Sequence, residues 1–129
     1  MDTPPPAVVA PSTEDRTVAI LSYITIFGFI VAIIMHNGKK TALGAFHLRQ
    51  VLGLIIAGFA VGIGTMITVF ILAFIPFVGP ILAFLLWGTL IVCSFVVVIL
   101  GLLAAIKGEM KPVPVVGEPI QKFLANTFT

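Results

Sequence analysis

From Gln50 to Ile106 the chain runs for 57 residues without a Lys, Arg, Asp, Glu or His, and that gap dictates the solvent in which it folds. A shorter charge-free stretch, Thr17 to Met35, precedes it. Carrying a charged side chain to the centre of a bilayer is costly even on lenient scales, so gaps of this length mark segments that meet lipid. Only 9% of the 129 residues are charged, against about 25% in typical globular domains, and 60% are hydrophobic. There is too little charge to coat a soluble domain. In lipid each backbone polar group must be satisfied within the protein, and helices do this segment by segment. The expected fold is therefore all-α and integral to the membrane.

The formal net charge of +2 does not point to nucleic acid, because the seven basic residues sit singly or in pairs at the edges of apolar segments and form no stripe. Cys93 is the only cysteine, which excludes an internal disulfide and any multi-cysteine metal site. The N-terminus opens Met1-Asp2-Thr3-Pro4-Pro5-Pro6, without the basic start of a secretory signal. Four prolines within residues 1–16 remove the donors a helix needs, so this segment is expected to be a disordered tail, with a helix start at Ser12 or Thr13.

Three spanning helices are expected in residues 17–106. The first covers Val18 to His36, whose 19 residues reach about 28 Å, near the roughly 30 Å of hydrocarbon. Asn37-Gly38 is a turn pair, and Thr41 is placed to cap a short interfacial helix from Ala42 to Gln50. The long charge-free run would measure about 85 Å as one helix, nearly three bilayers, so it must fold back. Pro76, Gly79 and Pro80 supply the turn, which gives spans at about 50–75 and 81–106. In residues 107–129, Pro119 suits the first turn of a second interfacial helix running to about Asn126.

Charge placement then orients the spans. With three crossings, Lys39, Lys40, Arg49, Lys107, Lys111 and Lys122 share one side and Arg16 lies on the other, so the N-terminus is expected outside and the C-terminus in the cytoplasm of a cell inner or plasma membrane. A fourth crossing, made by splitting the run near Gly62 and Gly64, would separate Lys107 and Lys111 from Lys39 and Lys40.

Two groups of residues stand out in the spans. Gly58 with Gly62, and Ala60 with Gly64, form small-xxx-small pairs that let helix backbones approach in lipid, either within one chain or between copies. Phe46, His47, Arg49 and Gln50 gather at the entrance to the second span, where Arg49 is expected to meet anionic lipid and His47 a carbonyl or water. Two separated histidines without adjacent acids or cysteines leave a metal site incomplete, and no serine, cysteine or acid is arranged as a nucleophile with its base. No cofactor and no enzymatic activity are expected. Membrane lipids are the expected partners, together with further copies of the chain or a larger membrane protein.

The segment Ala45-Phe46-His47-Leu48-Arg49-Gln50, the turn Ile75-Pro76-Phe77-Val78-Gly79, and the later Gly108 through Lys111-Pro112-Val113-Pro114-Val115-Val116-Gly117 occur in order along the chain. Together they resemble a family of small bacterial membrane proteins of unknown function, distantly similar to the chloroplast inner-envelope protein-import component. The resemblance implies a compact helical membrane module associated with protein transport. The expected role is a non-enzymatic assembly or accessory component, with a protein-translocation or solute conduit as the alternative.

Overall fold

The computed structural model describes residues 13–128, which form five helices: α1 (Thr13–Ile24), α2 (Ile26–Gly38), α3 (Ala42–Leu72), α4 (Val78–Lys107) and α5 (Gly117–Phe123). Residues 1–12, and with them most of the expected disordered tail, lie outside the described residues. Among the described residues the protein is an all-α bundle with two helices, α3 and α4, long and apolar enough to cross a bilayer. The expected architecture of three spans is thereby corrected.

The first expected span is the one that fails, and Thr25 is the cause. Its backbone is extended (φ −151°, ψ 169°), and its side chain accepts the Gly28 amide at 3.0 Å as the N-cap of α2. A cap that satisfies an otherwise orphaned amide stabilises a new helix start. The chain then doubles back. Gly28 sits against α1 so closely that a Cβ there would lie 2.6 Å from the Leu21 carbonyl oxygen, while Val18, Phe29 and Ala32 share one buried cluster. These pairings are those of an antiparallel hairpin. Two helices of 12 and 13 residues, about 18 and 20 Å long, replace the single span.

The expected interfacial helix before the second span is also corrected, because it is continuous with that span. Thr41 caps α3 by accepting the Gly44 amide at 3.0 Å, and no breaker follows until Ala73. The resulting helix has 31 residues and a length of about 46 Å. At its far end Pro76 lies in the turn, whereas Gly79 and Pro80 fall in the first turn of α4. Pro80 there forgoes an amide that would have no helical partner in any case. Gly79 is buried against the Leu72 carbonyl, where no Cβ would fit, and Phe77 takes a positive φ of 66° to complete the reversal.

Burial divides the molecule into a base and an arm. Leu43 through Leu48 are all buried, as are Gln50, Val51 and Gly53, because the α1–α2 hairpin, the end of α4 and α5 surround this part of α3. Beyond it the two long helices run on as an arm whose outward surface is exposed Phe, Ile, Leu, Met and Val. An apolar surface of this extent is suited to lipid, and the chain is a membrane-associated, multipass protein. After Gly108, in the left-handed conformation (φ 70°) suited to glycine, the chain turns back over the base. Helix α5 forms there with Pro119 in its first turn, and it ends at Phe123.

Candidate functional site

The base is held by a buried polar network centred on α3. His47 and Gln50, three residues apart, project from one side of the helix, and both are fully buried. The His47 Nε2 lies 2.8 Å from the Glu109 backbone carbonyl, which can only accept, so the ring carries its proton on Nε2. Nδ1 is then the acceptor, and the Tyr23 hydroxyl donates to it at 2.8 Å. The same hydroxyl oxygen accepts a hydrogen bond from the Gln50 amide nitrogen. Gln50 closes the circuit by accepting the Val113 amide at 3.0 Å through its Oε1.

Three separate parts of the chain are thus joined: α1 through Tyr23, α3 through His47 and Gln50, and the segment after α4 through Glu109 and Val113. The Tyr23 ring reaches this position over Gly101 of α4, where a Cβ would stand 2.5 Å from the ring. Both nitrogens of His47, both ends of the Gln50 amide and both hydrogen-bonding capacities of the Tyr23 hydroxyl are directed at the protein itself. Hydrogen bonds are strong in such a dry setting, and a half-satisfied network would be costly. The arrangement is a clamp.

A second set of contacts fastens the C-terminal segment. Arg49 donates from Nε to the Gln121 side-chain oxygen at 3.2 Å and from a terminal nitrogen to the Ala125 carbonyl at 3.0 Å. Gln121 in turn donates to the Phe46 carbonyl at 2.8 Å. Farther along, the Phe128 carbonyl accepts from His36 Nε2 at 2.7 Å, and the Phe128 ring meets Phe29 and His36 edge-on. The segment therefore straps α3 to α2.

Each residue singled out by sequence has a definite place. Phe46, His47 and Gln50 lie inside the base, and Arg49 is half-buried and bonded to the C-terminal strap. The small residues behave differently. A Cβ at Gly58, Gly62 or Gly64 would meet nothing within 4 Å, and Ala60 is exposed, so nothing among the described residues closes on that face. Grooves of about 650 and 630 Å³ lie along the arm, both lined by Gly58, Gly62 and Trp87. Among the described residues there is no group of three or more His, Cys, Asp or Glu suited to a metal ion.

Sequence reasoning missed Tyr23, Gln121 and Phe128 as site residues, and it grouped His36 with His47, Arg49 and Gln50 without its partner Phe128. Tyr23 carried the clearest signal, as the only tyrosine of the chain, set in the middle of an apolar run. The strap partners carried none, because their contacts join residues 72 to 92 positions apart.

Base and arm together define a small all-α membrane protein whose Tyr23, His47 and Gln50 close its own base. The chain belongs to the magnetosome magnetite crystal formation protein family (MamF_MmsF), whose family model matches residues 14–120. No curated protein and no solved structure matches it. The resemblance to the family related to the chloroplast import component is corrected by this assignment. The motifs behind that resemblance supply the clamp residues His47, Gln50 and Val113, the arm's turn and the run into α5, and such structural parts report a fold rather than a function.

Proposed function

We propose that the protein is a non-enzymatic membrane component serving magnetite crystal formation. The observation that carries the proposal is the family match, which runs from the start of α1 into α5 and so takes in both the base and the arm. Magnetite is then the cargo of the process, and the chain's own contribution is structural. The clamp consumes its histidine, tyrosine and glutamine in internal hydrogen bonds, which favours a scaffold over a reactive centre. The arm carries no charge from Gln50 to Ile106, and the hydroxyls of Thr68, Thr89 and Ser94 each donate to a carbonyl of their own helix. That lining suits lipid or another apolar helix better than a polar conduit.

The arm crosses the bilayer as a hairpin with the base at the cytoplasmic face. Support comes from Lys39, Lys40, Arg49, Lys107, Lys111 and Lys122, which all lie at the base end of α3 and α4, while the Pro76 turn has no charge. The open face at Gly58 and Gly62 is available to a second copy or a larger membrane protein.

Deletion of the gene in its mineral-forming host, followed by electron microscopy of the crystals, tests the proposal. Crystals altered in size or number, and restored by the intact chain, are expected. Unaltered crystals in the deletion strain would refute it. Ion or peptide flux through vesicles containing only this protein would favour the conduit instead.

A further inference from the structure

We infer that the α1–α2 hairpin is a shallow re-entrant wedge, whose tip dips into the near edge of the hydrocarbon beside the base and leaves by the same face. Acyl chains of that leaflet are the partner of its apolar tip. The inference rests on the arm crossing the bilayer as proposed above.

Length comes first. Helices of 12 and 13 residues reach about 18 and 20 Å, short of the roughly 30 Å needed to cross. The tip is nevertheless built for lipid: Ile24, Ile26 and Phe27 are exposed, Phe27 by 77%, and Ile30, Val31 and Ile34 extend the exposed surface along α2. Such a patch in water would be a liability. Charge is confined to the opposite, open end, with Arg16 in the first turns of α1 and Lys39 and Lys40 just after α2.

Depth is set by Tyr23, one residue before the end of α1. Its hydroxyl meets His47 and Gln50, and its ring lies on Gly101, so the tip reaches the level at which the charge-free part of α3 begins. From that level α3 runs charge-free to Leu72 for 23 residues, about 34 Å, so the bilayer begins there and only Ile24, Ile26 and Phe27, which follow Tyr23, enter its near edge. The polar side chains near the tip are bonded within the hairpin. Thr25 accepts the Gly28 amide, and the Ser22 hydroxyl donates to the Ala19 carbonyl at 2.6 Å. With the hairpin re-entrant, all seven basic residues lie on one side of the membrane, whereas a crossing first helix would strand Arg16 on the other.

Single cysteines in the full-length Cys93→Ser chain, probed with a membrane-impermeant maleimide in right-side-out and inside-out vesicles, test the wedge. Thr13→Cys and Gly38→Cys should label from the same face as Lys111→Cys. Phe27→Cys should label at least tenfold more slowly than Gly38→Cys in both vesicle types until detergent is added. Labelling of the Thr13 and Gly38 sites from opposite faces would show that the segment crosses, and rapid labelling at position 27 without detergent would place the hairpin in water. Either result overturns the wedge while leaving the arm intact. Labelling of Val78→Cys from the same face as Lys111→Cys would instead remove the crossing of the arm, and the wedge with it.

Discussion

Tyr23 and His47, 24 residues apart in sequence, meet through a 2.8 Å hydrogen bond from the tyrosine hydroxyl to Nδ1, with their rings edge-on at 5.5 Å. This contact joins the re-folded N-terminal hairpin to the first long helix. Because the same hydroxyl accepts from Gln50, removing it unpairs two buried partners at once.

Tyr23→Phe keeps the ring over Gly101 but leaves His47 Nδ1 and the Gln50 amide without that partner. The expected loss is about 1–3 kcal/mol, read as a lower Tm in detergent micelles. Gln50→Leu should cost a similar amount, and the double variant less than the sum of the two, since the groups belong to one network. Strictly additive losses would show that the network is not closed.

Arg49 bridges two acceptors of the C-terminal segment, a geometry that the forked guanidinium provides and an ammonium does not. Arg49→Lys should therefore free the strap nearly as well as Arg49→Ala. Limited trypsin digestion should cut after Lys111 and Lys122 several-fold faster in both variants. Unchanged cleavage in Arg49→Ala would show that the strap is held by its apolar contacts alone.

Gly53 and Gly62 lie on the same helix and should respond in opposite ways. A Cβ at Gly53 would collide with Ile120 of α5, so Gly53→Val is expected to lower the Tm and displace the strap. At Gly62 the added atoms meet open space, so Gly62→Val should leave the fold of the single chain intact. If copies pack through that face, chemical crosslinking in native lipid should fall in Gly62→Val without a drop in Tm.

Thr25 and Gly28 shape the N-terminal hairpin. Thr25→Ala removes the cap of α2, with an expected loss of about 1 kcal/mol and faster hydrogen exchange at the first amides of that helix. Gly28→Val should be more severe, because its side chain would be driven into the Leu21 carbonyl. Equal exchange in Gly28→Val and the unaltered chain would contradict the close packing of α1 on α2.

Local chemistry made part of this structure readable in advance. Thr41 as a cap, Pro76 in the turn and the end of α4 at Lys107 follow from short-range signals that act on their own helix. The break at Thr25 was less visible, because apolar content averaged over a bilayer's length does not register one capping residue. Its signal was present in the run Ser22, Thr25 and Gly28, where a polar cap precedes a residue small enough for the chain to fold on itself. Arg49 illustrates the opposite case. A basic residue at the edge of an apolar run suggests a lipid headgroup, yet its partners Gln121 and Ala125 lie 72 and 76 positions away.

Membrane residence, helical class and the reversal at Pro76 were dictated by composition and residue order alone, since transfer to lipid and backbone satisfaction within a helix are summed segment by segment. Which helices are long enough to cross, how Tyr23, His47 and Gln50 close on one another, and where the strap lies were decided only in three dimensions. Hydrogen bonds and close packing between distant segments depend on direction and on fractions of an ångström, and hydropathy contains neither.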